Sequence, residues 1–429
     1  MIFKHSFALL ITLFVVGKTF SQSYANLIDT LASIKAKVNA NALVPIFLKL
    51  ESRAEFPFQK NACNLNLALL YKALRKEDSV TYYIRQIGLY DIASQLHFQR
   101  LQLKPEDIFG YKNFSKANWK LLHSKKEKEK VKKPYTHYAE MKFHFEDVKN
   151  FWIAFDKGIT DSINKKKYIK EFIQNQSNPS MLFFANSFMD SDYFSDFVFK
   201  RKEYFQSIRK YTNAVDSTFY RKLQIALEKA KCFFKYVCYT DIYFTISSYQ
   251  NSIALYDNGV LVIPINFYCQ NVDTELKELT YYEKLTCRDI NYLPAAIIHE
   301  LVHPNQKLIP YDRYLDAAIS EGMADYVAEQ ITGICLVDYV TIWTNGNSKK
   351  LWTEFRNVMF KTYDSTYAPY FCEEISETKQ GALTNYWGYQ ICKAYIANTN
   401  NGLEKLMSTK SAGKILVDSY FEKQIMQQN

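Results

Sequence analysis

The sequence predicts a mostly helical α+β protein, in which a small sheet precedes the helices of a candidate metal site and a separate helical domain comes first. Three observations carry this. Apolar residues recur at helical spacing through most of residues 22–230. Two short runs of strand formers follow, at 241–246 and 260–265. His299-Glu300-Leu301-Val302-His303 then sets two imidazoles four residues apart, on one face of a helix.

With 429 residues, 48% hydrophobic and 16% aromatic, the chain can bury sizeable cores in two or three domains and is neither disordered nor fibrous in composition. Lys4, an apolar run from Phe7 to Val16 and Thr19-Phe20-Ser21 have the order of a secretory signal peptide over residues 1–21, cleaved near Ser21-Gln22. That run is too short to span a bilayer. No cysteine follows it, so the residues there give no support for lipid attachment. The mature chain is expected to be secreted or periplasmic, with no transmembrane segment. Export argues against nucleic acid as a partner, despite a formal charge of +10. Much of that charge sits in Lys125, Lys126, Lys128, Lys130, Lys132 and Lys133, interleaved with Glu127 and Glu129, a pattern that reads as a solvated linker. Eight cysteines fit an oxidising compartment. Cys269 and Cys287 flank a polar stretch and are expected to form a bridge.

Residues 22–124 read as a helical domain. Leu67, Leu70, Tyr71 and Leu74 form one helical stripe and Val80, Tyr83, Ile84 and Ile87 another, with a polar break at Lys76–Ser79 between them. This hairpin resembles a degenerate tetratricopeptide repeat, with Leu67, Ala68 and Tyr71 on its first helix. A lone repeat cannot bury its own faces, so flanking helices such as Leu43–Leu50 must complete the bundle. Such a domain is expected to offer a surface to a protein partner. Residues 125–140, with Pro134, read as a basic linker, and 141–429 as the second domain. Phe145, Val148, Phe151, Trp152 and Phe155 open it at helical spacing and are read as core. Asp257-Asn258-Gly259 is a turn signal between the two strands. An edge strand near a metal suits the holding of an extended peptide.

Pro294 suits the first turn of the motif helix, and Pro304 must end or kink it just after His303. Both histidines then lie near the negative end of the helix dipole, which favours a cation. A zinc ion needs a third protein ligand. The other five histidines (His5, His97, His123, His137, His144) all lie in the first third of the chain, so a carboxylate must serve. Glu321 supplies it on a second helix expected to end near Gly333, and Asp325, one turn on, can accept a ligand histidine's free N–H.

His299-Glu300-x-x-His303 with Glu321-x-x-x-Asp325 resembles the gluzincin metallopeptidases, and residues 141–400 resemble the predicted Zn-dependent proteases of bacteria. The wider resemblance rests on Phe151-Trp152, Phe155-Asp156, the Asp257-Asn258-Gly259 turn, Glu321-Gly322, Leu351-Trp352 and Gly388-Tyr389. It implies a zincin-like domain in which His299, His303 and Glu321 bind Zn2+, Glu300 is the general base and Asp325 supports His299. By analogy with gluzincin tyrosines, Tyr389 would steady the oxyanion. The expected activity is hydrolysis of a peptide or protein substrate. The alternative is a non-catalytic binding or scaffold protein of the cell envelope that keeps zinc for structure.

Overall fold

The computed structural model describes residues 40–88, 94, 116–124, 135–185, 190–212, 217–234, 239–248, 254–256, 260–307, 312–362 and 383–427. The signal peptide, the lysine run with Pro134 and the Asp257–Gly259 turn lie outside them. The fold is α+β and mostly helical. Two compact units divide it: the first takes the described residues within Met1–Val131, Glu146–Lys200 and Ile246–Asn251, the second those within Lys132–Phe145, Arg201–Thr245 and Ser252–Asn429.

The first unit opens with α1 (Ala40–Arg53), α2 (Pro57–Ala73) and α3 (Glu77–Gln86). Pro57 starts α2, where its missing N–H costs nothing, and the Gln59 side chain reaches back to accept from the Glu55 and Phe56 amides. Arg75, at φ 59°, turns the chain between α2 and α3. Leu43, Phe47 and Leu50 of α1 complete the core of this hairpin with Leu67, Leu70, Val80 and Ile84, which is the flanking role expected of Leu43–Leu50.

Residues Glu146–Lys200 cluster with these helices, although the linker signal in the sequence lies before them. Here α4 (Glu146–Thr160), α5 (Lys165–Gln174) and α6 (Ser191–Phe199) enclose an aromatic core. Phe151 lies 5.0 Å from Trp152, 5.6 Å from Phe172 and 6.5 Å from Phe194 between ring centroids. The attachment to the N-terminal helices is specific. Glu55 Oε2 accepts from the Ser191 amide at 3.0 Å and its hydroxyl at 2.6 Å, at the positive end of α6, and Phe56 meets Phe184 edge to face at 5.5 Å.

The second unit holds a four-stranded sheet in the order β1-β2-β4-β3. β1 (Phe143–His144), β2 (Ile242–Thr245) and β4 (Val260–Pro264) are parallel, and β3 (Ala254–Tyr256) is antiparallel to β4. Every residue of β4 is buried, which is why it reads as a continuous apolar run rather than an alternating one. Both strands signalled by the sequence are interior. Among the described residues the edges are β1 and β3, two- and three-residue strands too short to signal themselves.

Cys269 and Cys287 do not form the expected bridge; both are buried free thiols. The Cys269 thiol lies 3.1 Å from the Ile265 carbonyl oxygen and that of Cys287 3.7 Å from the Tyr204 hydroxyl. Burial, reinforced by Cys287, pushes the Cys269 thiol well above its usual pKa. Both sulfurs are accommodated as small apolar groups in the core.

Candidate metal centre

The site is made by two helices of the second unit, α7 (Leu293–Val302) and α8 (Tyr314–Thr332). Pro294 occupies the first turn of α7, and Leu293, Ile297, Ile298, Leu301 and Val302 bury its apolar flanks. The α-helix ends at Val302, and Pro304 turns the chain into a 3-10 turn over His303–Asn305. His303 itself keeps helical angles, φ −52° and ψ −46°, so its ring stays on the face of His299. The two rings stand nearly perpendicular, at 83°, with centroids 5.0 Å apart.

Helix α8 ends at Gly333, which takes φ 78° as a left-handed cap. It packs on α9 (Leu383–Asn398) at backbone contact: a Cβ on Gly388 would lie 1.6 Å from the Ala318 carbonyl oxygen, and one on Gly322 2.0 Å from the Tyr389 nitrogen. That crossing fixes α8, and α8 presents Glu321 to the histidines.

His299 Nε2 and His303 Nε2 are 3.3 Å apart, and Glu321 Oε2 lies 3.4 Å from the first and 3.8 Å from the second. These three donors form the one metal-competent cluster found among the described residues. Asp325, buried behind them, is 2.7 Å from His299 Nδ1 through Oδ1. Burial alone would lower the His299 pKa, but Asp325 and then Glu321 outweigh it and hold the imidazole well above its ordinary value. Burial and the adjacent His299 charge push His303 down.

The donor set fits zinc in both chemistry and spacing. Nδ1 of His299 faces Asp325 and Nδ1 of His303 faces Gln306, so both Nε2 atoms come together with a Glu321 oxygen, an arrangement that a proton or a cation must bridge. Bonds of about 2.0–2.1 Å to a tetrahedral zinc put ligand atoms about 3.3–3.4 Å apart, and two of the three separations match. The third is a few tenths longer.

The sequence did not reveal Gln306. Its Oε1 lies 3.4 Å from His303 Nδ1 and accepts from the Ser320 hydroxyl at 2.9 Å, while its Nε2 donates to the Ser320 carbonyl oxygen at 2.7 Å. Residues 306 and 320 meet only because α7 and α8 pack together, so no local spacing could have disclosed the pair. Glu300, next to His299, is partly exposed, and its charge adds to burial in raising the Tyr268 phenol. Tyr389 is not brought to the triad. Its hydroxyl donates to Glu329 at 2.6 Å, and Glu329 lies eight residues beyond Glu321, about 12 Å along α8.

Residues 139–423, about two thirds of the chain and the whole of this centre, match the family described as gliding motility protein GldB. The chain belongs to the GldB gliding motility family. No curated protein and no solved structure matches it.

GldB membership corrects the peptidase reading. The likeness to gluzincins and to predicted Zn-dependent proteases does not give the family, and the expected peptide hydrolysis, with Glu300 as its base and Tyr389 at its oxyanion, goes with it. The physical reason lies in what the motif encodes. Two histidines one helical turn apart and a carboxylate from a second helix specify a cation's ligands. Turnover needs further groups around the substrate, and such spacing is silent about them.

Proposed function

We propose that this chain is an exported, non-catalytic component of the gliding apparatus at the cell envelope, in which zinc joins α7 to α8 through His299, His303 and Glu321. The observation that carries the metal is the convergence of His299 Nε2, His303 Nε2 and Glu321 Oε2 to within 3.3–3.8 Å of one another. GldB membership supports the non-catalytic role and the setting in gliding. Among the described residues no helix is long and apolar enough to cross a membrane. The zincin-like pairing of α7 with α8 then serves as a scaffold, and the helices of the first unit supply a surface for a protein partner.

When bound, zinc supplies a cross-link between the side chains of α7 and α8. His299 and His303 give it neutral nitrogens at the negative end of α7, Glu321 gives one negative oxygen, and Asp325 holds the His299 ring in place from behind. Complementation of a strain lacking the protein tests this role. Glu300→Gln is expected to restore gliding fully, because no proton transfer is asked of Glu300, whereas His303→Ala is expected to fail. A Glu300→Gln protein that folds, holds zinc and yet leaves the cells unable to glide would contradict the non-catalytic reading.

A further inference from the structure

We propose that Gln306 is the positioning residue of the metal centre: its amide fixes His303 in the tautomer protonated at Nδ1 and fastens that ring to α8 beside Glu321. The inference rests on the zinc reading above and concerns how the chain prepares the site.

The orientation of the amide follows from its partners. Gln306 Nε2 lies 2.7 Å from the Ser320 carbonyl oxygen, which can only accept, so this end must be the NH2. The opposite end is therefore the oxygen, and the Ser320 hydroxyl donates to it at 2.9 Å. Oε1 cannot donate, so in the hydrogen bond between it and His303 Nδ1, 3.4 Å away, the hydrogen comes from the imidazole. That leaves Nε2 of His303 without a hydrogen of its own, 3.3 Å from His299 Nε2 and 3.8 Å from Glu321 Oε2. Asp325 holds Nδ1–H of His299 in the same way, with a carboxylate at 2.7 Å. The two histidines thus have different supports: a buried charge behind one, a neutral amide behind the other.

The amide also ties the two ligand-bearing segments together. Gln306 follows the 3-10 turn that begins with His303, and Ser320 directly precedes Glu321 on α8. Two hydrogen bonds between Gln306 and Ser320 hold the third ligand's helix in register with the second ligand, before any ion arrives.

The test uses the full mature chain reconstituted with zinc and labelled with nitrogen-15 in histidine. In the parent protein, His303 is expected to show a protonated Nδ1 and a metal-bound Nε2. Metal bound at Nδ1 of His303 would overturn the assignment without any variant having to fold. Gln306→Leu is expected to weaken zinc binding about 10–100-fold in competition with a chromophoric chelator, the usual loss for an outer-shell partner. Gln306→Glu, which keeps an acceptor for Nδ1–H, is expected to recover part of that loss. Equal zinc affinity of parent and Gln306→Leu, with the tautomer unchanged, overturns this inference and leaves the zinc reading standing. A folded parent that takes up no zinc overturns both.

Discussion

Gly388→Ala perturbs the centre without touching any ligand. The new Cβ would lie 1.6 Å from the Ala318 carbonyl oxygen, whereas real Cβ contacts essentially never fall under 3.0 Å, so α8 and α9 must separate by about 1.4 Å. The obstacle is helix backbone, which cannot swing aside as a side chain can. Overpacking of this kind costs about 1–3 kcal/mol, and a backbone obstacle puts Gly388→Ala at the upper end. For a unit of this size each kcal/mol lowers the melting temperature by about 2–4 °C, giving a fall of roughly 6–12 °C. Glu321 rides on α8 one residue before Gly322, itself in contact with Gly388. Metal bonds tolerate displacements of only about 0.2 Å, so zinc affinity should fall together with stability. Thermal unfolding with and without zinc, and chelator competition, measure the two losses. An unchanged melting temperature would refute the close crossing, and a large fall in stability with unaltered zinc affinity would refute the coupling of that crossing to Glu321.

Asp325→Ala should weaken zinc binding about 10–100-fold by leaving His299 Nδ1–H without its acceptor, as chelator competition would report. Tyr389→Phe should leave zinc affinity unchanged and cost about 1.5–3 kcal/mol through the lost bond to the Glu329 carboxylate; a weakened zinc site would put Tyr389 back at the centre. In the first unit, Glu55→Ala should cost about 1.5–3 kcal/mol, because the carboxylate accepts from both the amide and the hydroxyl of Ser191, and denaturant unfolding reads that loss. In the zinc-free protein the raised pKa of His299 favours the folded state. That contribution is complete below about pH 6.5 and fades as pH rises through the higher folded value. Chelator-treated parent should therefore lose its stability advantage over His299→Gln with rising pH; an advantage that grows would contradict the assignment of the proton.

Much of the architecture was legible where one side chain does one job. The α2–α3 hairpin, the buried runs of β2 and β4, Pro294 near the start of α7 and Gly333 at the end of α8 each follow from a local rule of periodicity, burial or backbone conformation. The meeting of His299 and His303 with Glu321 was legible because helix geometry turns a spacing of four into a shared face, and because histidine is absent from the rest of the second half of the chain. Other features depend on long-range packing. The seating of Glu146–Lys200 on the N-terminal helices relies on Glu55 reaching Ser191 across 136 residues. Gln306 gains its meaning only from Ser320, and Tyr389 turns to Glu329 only because Gly388 lets α9 approach α8 so closely. The same gap separates ligand geometry from chemistry. Two histidines and a glutamate on adjoining helices have the same spacing in a scaffold as in an enzyme, so the peptidase expectation went beyond what the motif physically specifies.

The most direct test of the central claim is the zinc content of the folded mature chain after reconstitution and removal of loosely bound metal, measured beside the His299→Ala, His303→Ala and Glu321→Ala variants. One zinc ion per chain in the parent, with loss of tight binding in each folded variant, is the predicted result. A folded parent without zinc, or zinc held equally well by all three variants, would contradict it.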